Sequence, residues 1–387
     1  MVTAMPHLVT IVLWALLVGN ALRPPRWGGR AGFVVYVLSM TINEMPLMFL
    51  VLISVGVVST LVTGGLPDGL GGVAWSVAWV LIATGMLWLQ IRARSARPAL
   101  DGALTSSLGT GWRETIRPEL AASLSTRTPW LAGIVRPFQR QHPDVVRVRN
   151  VAYGPDPRAH QLDLYRNPRS QAGSPILVHF HEGGFVRGAK SREAVALLNQ
   201  MAAHGWLCIS ANYRLRADAV FPNPLLDAKR AIAWAREHAA EYGADPTQVF
   251  LAGCSAGGHL AVSAALTPNQ PRFQPGFEQV DTTVAGVVSL YGYLGARTED
   301  PASSPVALAR PQAPPMLLIQ GRNDTMLPPG APAVWAKTLR STSRSPVVYA
   351  ELPHAQHAFD LFASVRARVV AHAIEAFLAW SRTCHPR

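Results

Sequence analysis

Apolar residues along the chain follow two regimes that change over near Val145. Before it they come in long runs: residues 8–22, residues 45–62 within a longer apolar stretch from Gly32, and residues 70–91. A helix needs roughly 20 apolar residues to cross the hydrocarbon core of a bilayer. The runs therefore predict about three transmembrane helices in an N-terminal membrane region, residues 1–97. Trp75, Trp79 and Trp88 suit interfacial anchors in the third run. The first run is short enough to resemble a signal peptide. It lacks a basic leading region and further apolar runs follow, which favours an anchor. Asn43-Glu44-Met45-Pro46 interrupts the second stretch, and Glu44 is the one acidic residue there. It reads either as a polar contact within a helix bundle or at lipid headgroups, or as a residue near an interface or helix break. Residues 98–143 are mixed in character and predict a linker with short helices.

Beyond Val145 the apolar runs shorten to strand length. Candidate strands are residues 146–153, 161–165, 175–181, 206–211, 248–253, 284–290, 316–320 and 347–352. Amphipathic stretches at 191–203, 224–241, 256–266, 331–339 and 364–380 alternate with them, and Gly205 stands where a cap would end the first. Buried strands joined by crossover helices predict an α/β fold over residues 144–387: a mostly parallel, doubly wound sheet with helices on both faces. Ligands of such sheets sit at the carboxyl ends of the strands.

Composition sharpens this picture in three ways. Hydrophobic residues make up 49% of the 387, and the excess lies in the first 91. The net charge of +12 comes almost wholly from Arg, because only Lys190, Lys229 and Lys337 are lysines among the 35 basic residues. These charges are scattered and not gathered on one face with aromatics between them, which argues against nucleic acid as a partner. Arg23, Arg26 and Arg30 follow the first apolar run, Arg92, Arg94 and Arg97 follow the third, and the connection at 63–69 carries no basic residue. By the positive-inside bias, the second and third helices form a hairpin with its tip outward. That makes a multi-pass protein of the cell membrane, its sheet domain on the cytoplasmic side. Cys208, Cys254 and Cys384 form no C-x-x-C pair; Cys208 and Cys254 read as core residues.

One segment carries most of the chemistry. The apolar run Val249-Phe250-Leu251-Ala252 enters Gly253-Cys254-Ser255-Ala256-Gly257, and a small-residue helix follows. This is the strand, sharp turn and helix of a nucleophile elbow, with Ser255 at its tip. Elbow enzymes place the orienting acid and then the base after the serine. Asp324 lies just beyond the strand at 316–320, and His357 lies before the last helix. His354, beside Pro353, reads as shaping that loop, and the rival acid Asp360 suits a dipole role in the last helix's first turn. A tetrahedral intermediate also needs preorganised N–H donors. Ala256 supplies one, and Gly183 and Gly184 supply others from the loop at the end of strand 175–181. His181 reads as a tie for that loop, and His179 with His181 has no third metal ligand in view. No metal or cofactor is expected.

From about Val145 to Trp380 the chain resembles α/β-hydrolases of the carboxylesterase and lipase type related to hormone-sensitive lipase. The shared parts are His181–Phe185 by position, Asn212-Tyr213-Arg214-Leu215, Phe221-Pro222 with Asp227, Gly243-Ala244-Asp245-Pro246, the elbow, and the segments around Asp324 and His357. Asn43-Glu44-Met45-Pro46 and the tail Gln356-His357-Ala358-Phe359-Asp360 narrow the resemblance to the membrane-associated Lip esterases of mycobacteria and related actinobacteria. It implies cofactor-free hydrolysis of short- to medium-chain carboxylic esters, with Ser255, Asp324 and His357 as triad and Gly183, Gly184 and Ala256 as oxyanion donors. The partners implied are an ester substrate and the bilayer; protein partners are unspecified. Two departures stand out. Glu182 occupies a usual glycine position: a positive φ there would strain it, and its carboxylate near the oxyanion hole would oppose the developing charge, unless it points outward and pairs with an Arg such as Arg187. Residues 294–314 are short for a lid and imply an open acyl pocket. Two other readings stay open: an acyltransferase using the same acyl-enzyme, and a weakly active membrane scaffold of the same fold.

Overall fold

A computed structural model describes residues 4–63, 68–124 and 130–384. Within them, eight strands form one sheet: β1 (Val146–Ala152), β2 (Gln161–Arg166), β3 (Ser174–Phe180), β4 (Leu207–Ala211), β5 (Ala244–Cys254), β6 (Gly286–Leu290), β7 (Met316–Gly321) and β8 (Val347–Leu352). Their order across the sheet is β1-β2-β4-β3-β5-β6-β7-β8. The pairs β1–β2 and β2–β4 are antiparallel, and every later pair is parallel. All residues of β3, β4, β6 and β7 are buried, as expected of strands covered on both faces.

The helices are α1 (Ala4–Leu22), α2 (Gly29–Glu44), α3 (Pro46–Val62), α4 (Leu70–Arg92), α5 (Ala96–Leu108), α6 (Pro118–Ala121), α7 (Trp130–Val135), α8 (Val195–Ala203), α9 (Asn223–Glu237), α10 (Ala256–Leu266), α11 (Ala331–Thr342) and α12 (Val365–Cys384). The two-residue period of β5 divides them into layers. Phe250 and Ala252 face one core with Leu198 of α8 and Phe377 of α12. Val249 and Leu251 face the other, with Ile232 of α9, Leu260 of α10 and Leu339 of α11. The α/β architecture expected from the alternating runs is therefore present.

The N-terminal 143 residues do not stand apart from this domain. Tyr36 and Met40 of α2 and Leu100 and Leu104 of α5 share one core with Leu352, Phe359 and Phe377. The segment expected as a linker from residue 98 thus opens with a helix packed into the sheet domain. By contrast, α1, α3 and α4 meet each other through Val18, Ile53, Ile82, Met86 and Leu89. They leave Leu13, Leu16, Val55, Val58, Val77 and Leu81 exposed. One helical stretch, Leu70–Leu108, is long and apolar enough to cross a membrane. The α2–α3 pair bends by 89° at Met45 and would add a second span only if counted as one broken helix, while His7–Leu22 is shorter. About three transmembrane helices were expected; among the described residues, length and composition give one, or at most two. Pro46 at the first turn of α3 explains the bend, because its ring cannot continue α2. Residues 64–67 of the expected hairpin tip lie outside the described residues.

Candidate active site

β5 delivers Ser255 at the start of α10, where φ of 51° and ψ of −113° put a non-glycine residue in a strained conformation. The strain is held by close packing on either side. A Cβ on Gly253 would lie 2.1 Å from the Gly257 carbonyl oxygen, and one on Gly257 would lie 2.0 Å from that of Phe180. The Ser255 N–H donates to Leu290 O at 2.9 Å, tying the elbow to β6.

The structure brings the three separated residues together. His357 Nε2 lies 3.0 Å from Ser255 Oγ, and His357 Nδ1 lies 2.7 Å from Asp324 Oδ2. Asp324 and His357 are buried, while Ser255 is half-buried and reachable. Gln320 Nε2 also donates to Asp324 Oδ2 at 2.7 Å, and the N–H groups of Met326 and Leu327 donate to Oδ1 at 2.8 and 3.1 Å. Burial alone would raise the Asp324 carboxyl; His357 and these donors outweigh it and hold it below the usual carboxylate range. Burial would likewise depress His357. The Asp324 carboxylate outweighs that, and Glu182 and Asp360 add to its effect, so His357 binds its proton more tightly than a free imidazole. An imidazole with one nitrogen on a carboxylate and the other on a hydroxyl can take the hydroxyl's proton.

Gly183 and Gly184 adopt φ of 122° and 61°, which suits glycine and few other residues. A Cβ on Gly183 would strike the Arg187 carbonyl oxygen at 1.8 Å. Ala256 opens α10, so its N–H has no acceptor within that helix. His181 does tie the loop: Nδ1 bonds Glu182 O at 2.6 Å, its ring stacks on Tyr213 at 4.3 Å, and Tyr213 OH donates to His181 O at 2.7 Å. Glu182 differs from expectation. Its φ is not positive, so the glycine-to-glutamate change carries no left-handed strain. Its side chain is buried and approaches Arg192 at 3.7 Å, whereas Arg187 lies over the Phe33 ring at 4.4 Å.

The rival residues fall elsewhere. His354 contributes its carbonyl, which accepts from Asn43 Nδ2 at 2.9 Å. Asp360 is not in the last helix's first turn, because α12 starts at Val365. It is buried beneath the site, where it accepts from Tyr291 OH and, at 3.3 Å, from Cys254 Sγ. Burial raises its carboxyl to about 6. In the short segment after β6, two 3-10 turns at Pro301–Ser303 and Pro305–Leu308 follow Arg297, whose guanidinium covers the Phe185 ring at 3.4 Å. Among the described residues no three His, Cys, Asp or Glu side chains converge as metal ligands.

Sequence reasoning missed several supporting side chains. Glu193 accepts the Glu182 N–H, and burial, with Glu182 nearby, pushes its carboxyl well up. Gln356 Oε1 accepts from the N–H groups of Thr325 and His357 at 2.8 and 2.9 Å, clamping the acid loop to the histidine loop. Tyr36 and Tyr291 flank the His357 ring at 5.9 and 4.6 Å. Tyr36, Ser39 and Asn43 recur at helical spacing in an apolar stretch, a signal that this face meets protein and not lipid.

The BD-FAE family model matches residues 162–301. "Probable carboxylic ester hydrolase LipM" of Mycobacterium tuberculosis is 35% identical, over 96% of this chain and 92% of the relative. That span takes in most of the N-terminal helices as well as the sheet. "Esterase LipQ" of the same organism is 34% identical over 74% of this chain and 75% of its own length. Among solved structures, the apo form of Thermogutta terrifontis esterase 2 superposes with a TM-score of 0.52 at 23% identity, covering 64% of this chain and 95% of that one. At that identity the likeness shows the fold.

Proposed function

The chain belongs to the Lip carboxylic ester hydrolases typified in mycobacteria, and from that premise we propose a membrane-anchored serine esterase that cleaves short- to medium-chain carboxylic esters through an acyl-enzyme on Ser255. The carrying observation is the continuous relay Ser255–His357–Asp324, at 3.0 and 2.7 Å. Ser255 Oγ attacks the acyl carbon as His357 Nε2 takes its proton. The N–H groups of Gly183, Gly184 and Ala256 receive the oxyanion, and His357 returns the proton to the departing alcohol. Water activated by the same imidazole then frees the acid. Asp324 keeps the imidazole oriented and stabilises its protonated form, a role that leaves the carboxylate unprotonated throughout.

Anchoring rests on the exposed apolar faces of α1, α3 and α4, which water would not favour over this area. Arg26 Nη1 donates to Leu327 O, beyond β7, at 3.0 Å, and Arg92 Nη2, at the end of α4, donates to Ala21 O at the end of α1 at 2.6 Å. That placement supports a multi-pass protein of the cell membrane with the catalytic domain on the arginine-rich, cytoplasmic side. Ser255→Ala should cut p-nitrophenyl butyrate hydrolysis by about 10⁴-fold or more with folding intact. A variant that retains the wild-type rate overturns the assignment.

A further inference from the structure

The corner between α2 and α3 lies against the loop that carries His357, and its polar side chains spend their hydrogen bonds there. Asn43 Nδ2 donates to His354 O at 2.9 Å, while its Oδ1 accepts from Arg92 Nη2 at 2.9 Å. Ser39 Oγ meets Gln356 Nε2 at 3.5 Å, the same Gln356 whose carbonyl oxygen holds the N–H groups of His357 and Thr325. Glu44 forms a fully buried ion pair with Arg366, and Ser364 Oγ donates to Glu44 Oε2 at 2.8 Å. His354 and Ala358 have φ of 62° and 55°. Two non-glycine residues in the left-handed region bracket His357, so the loop's shape is imposed by its partners and not by its own preferences. A dry ion pair adds little net stability over an apolar contact; here it ties the end of α2 to the start of α12.

Taking the triad reading above as given, we propose that the α2–α3 corner positions the active site, with Asn43 the positioning residue that holds the His357 loop. The membrane-side helices then do more than tether the enzyme. They complete its catalytic geometry, and a shift of α2 would misalign His357 relative to Ser255 and Asp324.

The charged groups facing His357 are Asp324 from the loop after β7, Glu182 from the oxyanion loop and Asp360 from its own loop; the phenols of Tyr36 and Tyr291 flank its ring. Asn43 is neutral, so replacing it leaves this set of charges intact, and a changed pH profile reports geometry alone. The test uses the full chain in detergent micelles with p-nitrophenyl butyrate. For Asn43→Ala, kcat should fall about ten- to a hundredfold with KM little changed. The acid limb of kcat/KM should move to lower pH, because a loosened His357–Asp324 bond no longer raises the imidazole. A merely structural role would lower Tm while the folded enzyme keeps the wild-type kcat and pH profile, and that result overturns the proposal. If Asn43→Ala does not fold, Ser39→Ala should show the same lowered kcat and displaced limb, and an unchanged profile in that variant overturns it equally. A wild type that neither hydrolyses ester nor labels at Ser255 sinks the triad along with the proposal. A labelled wild type beside an unaffected variant sinks the proposal alone.

Discussion

Three carboxylates act on the His357 imidazole, and they differ in what they can do. Asp324 touches it, whereas Glu182 and Asp360 act through space, all three favouring the protonated ring. Free imidazole titrates near ~6.5, so kcat/KM should fall with decreasing pH along a limb that lies above that value, because only the neutral ring accepts the serine proton. Glu182→Gln removes one raising charge; the limb should then move to lower pH, with kcat on the alkaline plateau changed by less than about tenfold. A pH–rate series on both proteins checks this, and coincident limbs would deny Glu182 any influence. At this scale the sequence was readable for groups that chemistry requires in a set order: serine, acid, histidine. Gln320, Gln356 and Glu193 were not readable, since an amide or acid that braces a loop has no fixed spacing from the group it braces. Glu182 was misplaced for a related reason. Its identity suggested strain, but the backbone turns positive at Gly183, Gly184 and Phe185 and not at Glu182.

The inner strands β3, β4, β6 and β7 declare themselves through burial on both faces, whereas the edge strand β1 is largely exposed; the runs marked all eight, with their ends shifted by a few residues. β5 and α10 show the tightest link between composition and geometry. Gly257 lies where any Cβ would stand 2.0 Å from the Phe180 carbonyl oxygen, a backbone atom of the central strand β3 that has no freedom to withdraw. Gly257→Ala should cost more than about 4 kcal/mol and yield little folded protein, as read by thermal unfolding and by soluble yield in detergent. A variant with near-native Tm would show that elbow and sheet pack less closely than described. The apolar stretch holding α2 was harder to read, because lipid and protein core select the same side chains. Only its polar residues at helical spacing distinguish the two, and their partners, His354, Gln356 and Arg366, lie more than 300 residues away along the chain.

Over the whole molecule, the division into membrane region, linker and sheet domain suggested by hydropathy gives way to a shared core. α5 covers β8 and α12, and α2 reaches the active site. Residues 144–387 expressed alone should therefore fail to give a folded monomer, because Leu352, Phe359 and Phe377 would lose the apolar cover of α2 and α5. Size-exclusion chromatography with circular dichroism checks this; a compact, active fragment would contradict it. The full chain should remain with the membrane fraction after carbonate extraction, since burying the exposed faces of α1, α3 and α4 in lipid removes several hundred Å² of apolar surface from water, on the scale at which patches become functional. Every step of the proposed reaction depends on Ser255 being an activated nucleophile. Its most direct test is reaction of the intact, detergent-solubilised protein with a fluorophosphonate, followed by peptide mass spectrometry. A single adduct on Ser255, lost when His357 is replaced by alanine, is the expected result; an unmodified Ser255, or equal labelling without His357, would contradict it.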